Sequence, residues 1–270
     1  MRTRTAHTSS TGRRRQPGRP IGIAALAVMA VTLTACGASQ GDDAGGQGWT
    51  EDLQTAEVGL SPVLFLGDSV AAGQAVALRQ GLAESGVKFI DATSTGGGNV
   101  VGPNAEERRE RLGTELPEAA GGVVIYQITT YDWGTPDEQR AAYEDLAERT
   151  ADLDADLLLV SMPPIRPDEF YEPHMDELAA AGEAARQVAD DLDEVEYLDA
   201  SEVWGEEYTR ERDGRIDRSE DGIHTCPQGA ARFTNWALAR LADLYDGFVP
   251  AEPDTWANTG WADSDVFHGC

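Results

Sequence analysis

Lysine is almost missing from this sequence: Lys88 is the only one in 270 residues. Lysine and arginine together number 21 against 48 aspartates and glutamates, a net charge of −27. A chain so short of positive charge offers no footprint for nucleic acid and repels anionic headgroups, so neither is an expected partner. No local basic patch suggests an acidic ligand, and the surplus carboxylates read as a solvated shell. Asp152, Asp154 and Asp156 are close in sequence but lack the turn glycine and closing glutamate of a calcium loop. No metal and no cofactor is therefore expected. No internal repeat is present, and cysteines number only three.

What the N-terminal stretch does contain reads as an export signal. Arg2, Arg4, Arg13, Arg14, Arg15 and Arg19 precede an uncharged apolar run of fifteen residues, 21–35, too short to span a bilayer comfortably. The arginines also suggest twin-arginine export, although Gln16-Pro17 departs from that pattern. Leu33-Thr34-Ala35-Cys36 resembles a bacterial lipobox, which implies a signal peptide over 1–35, lipid on Cys36 and residence outside the cytoplasmic membrane. Removing six arginines leaves 15 basic against 48 acidic residues, or −33. Residues 36–60, rich in Gly, Ser, Gln and Asp at their start, read as a tether with a reach of roughly 25–30 Å. With Cys36 carrying lipid, Cys226 and Cys270 remain as an even pair in an oxidising compartment and are expected to bond. The loop so closed would contribute up to about 4 kcal/mol by chain entropy.

The remainder divides into one domain over 61–247 and a tail over 248–270. Apolar runs at 63–66, 87–92, 123–128, 157–161 and 195–198 read as buried strands. Helical patterns lie between them at 71–84, 106–116, 136–153 and 171–192, and a last helix begins at Pro227, a residue favoured in a first turn. Strands alternating with helices predict an α/β fold, a doubly wound five-stranded parallel sheet. Ligands in such folds bind beyond the carboxyl ends of the strands.

Gly67-Asp68-Ser69 stands at that edge, directly after the first strand. A serine hydroxyl is too weakly acidic to attack unaided and needs a base within hydrogen-bond reach. His224 can supply it, and Asp221, three residues earlier, can fix the imidazole tautomer and stabilise the imidazolium. The other histidines are less suited: His7 lies in the signal, His174 in a proline-flanked loop and His268 in the tail.

Both strings resemble the SGNH (GDSL) hydrolase family, with G-D-S near the N-terminus and D-x-x-H near the C-terminus. The stretch from Asp221 to Ala230 is similar to the D-G-x-H-x-x-P-x-G-A form of SGNH domains, including those attached to bacterial envelope acyltransferases. The likeness runs from Val63 to about Leu244. It implies that Ser69 is the nucleophile and that its backbone N–H helps to bind the oxyanion. It implies a second donor from Thr95-Gly96-Gly97-Gly98-Asn99, where Gly96 fits best with the register open by one. The third block departs: where the family has G-x-N-D, this chain has Thr129-Thr130-Tyr131-Asp132-Trp133. Aligned on the aspartate, Tyr131 takes the place of the asparagine donor. Either Tyr131 or Thr130 substitutes, or the oxyanion hole has two backbone donors only. Trp133 could stack on a sugar face or pack beneath the loop.

The resemblance therefore implies a serine esterase of the cell envelope, a monomer removing small O-acyl groups from carbohydrate through an acyl-enzyme. An O-acyltransferase with the same triad is the alternative, and a non-catalytic glycan-binding module is a third reading. The tail, with Trp256, Trp261 and Phe267, is expected to fold back as a pocket rim, pinned by the disulfide and positioning the His224 loop.

Overall fold

The computed structural model describes residues 60–270. The expected signal peptide, Cys36 and nearly all of the tether lie outside the described residues.

Five apolar runs become five strands: β1 (Val63–Gly67), β2 (Phe89–Thr93), β3 (Val123–Gln127), β4 (Asp156–Val160) and β5 (Val195–Leu198). All pair in parallel, in the order β2-β1-β3-β4-β5. β1 and β3 are buried along their whole length, because helices cover both faces, whereas the edge strands β2 and β5 are only partly buried. Successive side chains of a strand point to opposite faces, and the sequence uses both. Val63, Phe65, Val123 and Ile125 meet α1 (Ser69–Glu84) and α6 (Pro227–Leu244) through Leu78, Leu82, Phe233 and Leu238. Leu64, Leu66, Val124 and Tyr126 meet α2 (Ala105–Glu115), α3 (Pro136–Ala151) and α4 (Met175–Asp191) through Leu112, Tyr143, Leu146 and Val188.

The expected elements are present, with shifted ends that have local causes. α1 starts at Ser69, two residues early, because Asp68 caps it. β2 starts at Phe89, because the Val87 amide still donates to Leu82 O and closes the end of α1. α4 starts at Met175, because Glu172–His174 form a separate 3-10 turn around Pro173. The short helices α5 (Ser201–Trp204) and α7 (Pro253–Trp256) and the hairpin β6 (Glu211–Arg212) with β7 (Arg215–Ile216) were not expected.

The tail differs most from expectation. Trp256 is fully buried and Trp261 nearly so, both in the core on the α1 and α6 side, where Phe248 joins them. Trp261 Nε1 donates to Trp256 O at 2.9 Å, and the Ala251 amide donates to Ser85 Oγ at 2.9 Å. These two tryptophans are therefore core packing and not a pocket rim, and the domain does not stop at residue 247. Among the described residues, no helix is long and apolar enough to cross a membrane.

Candidate active site

The turn from β1 into α1 is sharp, and its residues follow from that. Gly67 has φ +151°, and a Cβ there would sit 2.5 Å from Ala71 Cβ, so only glycine fits. Asp68 is fully buried and binds in two directions. Its Oδ1 accepts the amides of Val70 (3.0 Å) and Ala71 (3.4 Å), satisfying the start of α1. Its Oδ2 accepts the Thr130 amide (2.8 Å) and hydroxyl (2.7 Å), tying β1 to the loop after β3. Burial pushes this carboxyl up, against the pull of those donors. Ser69 is thereby held as the first residue of α1, partly exposed at the carboxyl edge of the sheet.

The other half comes from the loop before α6. His224 Nε2 lies 2.8 Å from Ser69 Oγ, and His224 Nδ1 lies 2.8 Å from Asp221 Oδ2. Asp221 Oδ1 also accepts the amides of Ile223 (2.7 Å) and His224 (3.0 Å), which folds the loop around its own carboxylate. Burial pushes Asp221 up, but the His224 ring and those two amides outweigh it and hold the carboxyl below its ordinary value. With a proton on Nδ1 facing the carboxylate, Nε2 is free to accept the serine proton.

Three braces hold this loop. Arg218, fully sequestered, donates through its guanidinium to Pro164 O (2.8 Å), Ile223 O and, more weakly, His224 O (3.4 Å). It lies 5.4 Å from the ring centre of Trp204 and 5.6 Å from that of Tyr208, and burial lowers it to about 10. The loop after β4 supplies the second brace: the Arg166 amide donates to Gly222 O (2.9 Å) and its side chain to Glu220 O. The third is the tail, whose Cys270 is bonded to Cys226 while Gly269 O accepts the Glu220 amide at 3.0 Å.

The oxyanion residues are placed differently from expectation. Gly96 is exposed, with nothing near an added Cβ, and its amide faces Ser94 Oγ at 3.4 Å. The close approach expected there is made by Gly98, φ +88°, whose Cβ would strike Gly67 O at 2.3 Å. Thr130 cannot stand in for the missing asparagine, because its hydroxyl is spent on Asp68. Tyr131 sits on the loop after β3 with its ring among Trp133 (5.3 Å), Tyr171 (5.9 Å) and Phe170 (6.1 Å). Trp133 stacks on His174 at 3.6 Å and 3°, so one of its faces is taken.

Asp132, beside Tyr131, is a buried hub. It accepts from Tyr126 Oη (2.8 Å), Tyr143 Oη (3.2 Å) and the amides of Thr129 (3.0 Å) and Val100 (3.3 Å), locking together the loops after β2 and β3. Burial raises it to about 7 against the pull of these donors. Burial, with the neighbouring carboxylate, raises both tyrosines as well, so they remain donors.

Structural comparison places this architecture. A candidate acylhydrolase from Bacteroides fragilis matches with TM-score 0.51 at 13% identity, over 73% of this chain and 98% of its own. An α/β hydrolase from the metagenome of Lake Arreo, Spain, matches with TM-score 0.52 at 16% identity, over 69% and 99%. The chain has the SGNH/GDSL hydrolase fold. A variant of an acetyl-xylooligosaccharide esterase from Geobacillus stearothermophilus matches with TM-score 0.50 at 14% identity, over 72% and 99%. No protein-family model matches the sequence, and no curated relative does. In this SGNH-type fold Ser69, Asp221 and His224 meet although 155 residues separate serine from histidine.

Sequence reasoning missed Arg218, the Asp68–Thr130 clamp and the Asp132 hub. The Asp68 clamp has no local signature, because its partner Thr130 lies 62 residues away. Nothing local marks an arginine as a buried brace.

Proposed function

We propose that the protein is a serine esterase whose triad is Ser69, His224 and Asp221. The observation that carries this is the chain of two 2.8 Å contacts from serine oxygen through imidazole to carboxylate, at the first turn of a helix on the carboxyl edge of the sheet. Ser69 Oγ attacks the ester carbonyl as its proton passes to Nε2, and the C–O bond to the alcohol breaks as Nε2 returns that proton to it. Water then attacks the acyl-serine with His224 again as base. The positive end of α1, sixteen residues long, faces the developing oxyanion, and the Ser69 amide is its first donor. With Thr130 committed elsewhere, the glycine loop supplies any further donor through its backbone.

Exposure favours hydrolysis over acyl transfer: the side chains of His224 and Asp221 are 39% and 41% accessible, so water reaches the site freely. Small O-acyl esters of carbohydrate are the substrate class we favour, in keeping with the acetyl-xylooligosaccharide esterase among the similar folds. The lipobox-like Cys36 extends the reading to an enzyme anchored outside the cell membrane. Cys36→Ser should then release it from the membrane fraction.

The test is turnover of p-nitrophenyl acetate and butyrate. Ser69→Ala and His224→Ala should each lower it by about a thousandfold or more, since triad members act as a unit. Unchanged turnover in the Ser69 variant would end the enzyme reading.

A further inference from the structure

Beside the triad lies a group of aromatic rings whose packing leaves one surface unused. Phe170 is 52% exposed, one of two large hydrophobic side chains left exposed among the described residues. A lone exposed phenylalanine means little, but this one caps a contiguous set of rings. It contacts Tyr171 at 5.0 Å, Trp133 at 5.4 Å and Tyr131 at 6.1 Å. All three contacts are steeply inclined, at 85°, 59° and 60°. None of these three rings lies parallel to Phe170, so none of them stacks on its flat face.

The set is continuous with the floor of the active site. Tyr171 packs in one apolar cluster with Val70, next to Ser69, and Ile223, next to His224; Tyr131 and Trp133 border the same cluster. Burial raises the Tyr171 phenol, so it keeps its proton.

The loop that presents Phe170 is also fixed in advance. Asp168 Oδ1 accepts the amides of Phe170 (2.9 Å) and Tyr171 (3.1 Å), and Asp168 O accepts that of Glu172 (2.9 Å). Two residues before Asp168, Arg166 is bonded to the His224 loop. An apolar face on a hydrogen-bonded loop at a wet surface, in contact with the cluster beside the nucleophile, is what a binding platform requires.

We propose that Phe170 is the stacking platform for a neutral pyranose ring of the ester substrate, and so determines its specificity. The proposal rests on the esterase reading above. A sugar ring has an apolar C–H face to lay on the phenyl and a hydroxyl rim to leave in water, which suits an open surface. An alkyl chain would need an enclosed channel instead. Glu169 and Glu172, both exposed and flanking the loop, offer carboxylates to sugar hydroxyls and repel anionic substrates.

The experiment compares 6-O-acetylglucose with ethyl acetate and ethyl hexanoate in the wild type, Phe170→Ala and Phe170→Trp. Truncating an exposed ring should leave the fold intact. In Phe170→Ala, KM for 6-O-acetylglucose should rise by about tenfold, in the range of a lost aromatic contact, with kcat unchanged. Both ethyl esters should be unaffected, and Phe170→Trp should restore the wild-type KM. Equal losses on all three esters would make Phe170 scaffolding. A loss confined to ethyl hexanoate would make it an acyl-chain contact, and no change on any ester would leave the platform without a ligand. Each of these overturns the proposal. Should the wild type split no ester at all, the esterase reading fails by itself. The platform is then judged by cello-oligosaccharide binding, read from tryptophan fluorescence beside Trp133. Binding abolished by Phe170→Ala sustains the proposal, and no binding by the wild type refutes it.

Discussion

Replacing Arg218 with methionine separates the brace on the His224 loop from the stability of the fold. The guanidinium is buried, and its fall to about 10 corresponds to about 3 kcal/mol carried by the charged form. Against that stand bonds to Pro164 O and Ile223 O and a weaker one to His224 O. At about 1.5–3 kcal/mol for each strong bond from a charged donor, the gain is about 3–6 kcal/mol. The net loss in Arg218→Met is therefore modest, up to about 3 kcal/mol. Catalysis should suffer more, because two of the three freed carbonyls belong to the residue bearing the base and to its neighbour. A displacement of the imidazole by about 1 Å costs on the order of a hundredfold. The expected result is kcat lowered by about 10- to 100-fold with KM nearly unchanged, measured well below the melting temperature. Arg218→Lys should recover little, since one ammonium cannot reach three carbonyls in the plane of a guanidinium. A lowered melting temperature with wild-type kcat would refute the idea that Arg218 positions His224.

Replacing Cys226 and Cys270 together by serine opens a loop of sequence separation 44 and should cost up to about 4 kcal/mol. For a domain of this size that is a fall of roughly 8–16 °C in Tm by calorimetry, and an unchanged Tm would mean that Trp256 and Trp261 hold the tail alone. Asp132→Asn should flatten the dependence of stability on pH. A carboxyl raised to about 7 contributes stability that is complete below its ordinary value and is lost as pH rises through 7. Tm followed from pH 4.5 to 8.5 should therefore fall more steeply in the wild type than in the variant, and parallel curves would contradict the assignment.

The strands could be read from the sequence because continuous apolar runs such as Val63-Leu64-Phe65-Leu66 have few alternative uses. Ser69 and His224 were legible for a different reason: each sits where an apolar element begins or ends, with an aspartate at a short spacing. The glycine register was not, since three adjacent glycines differ only in what their backbones approach, and that is a tertiary fact. Thr130 and Tyr131 were judged as donors to substrate. Only the fold shows that Asp68 already occupies one and that aromatic rings surround the other. In the tail, isolated tryptophans without periodicity gave no sign that Trp256 fills the core. Strands of two residues, as in β6 and β7, are too short to carry any pattern.

Serine and base each stand at the head of a different helix: Ser69 opens α1, and His224 lies three residues before Pro227, where α6 begins. The two helices pack against each other at Gly81, where a Cβ would come within 2.8 Å of Thr234 Cγ2 and 2.9 Å of Leu238 Cδ1. The gap between nucleophile and base is thus gauged by a helix–helix seam, much as the opening of tongs is gauged at the rivet. Gly81 is about 18 Å along α1 from the serine. A single methyl group placed there would respace the working end of the enzyme without touching it.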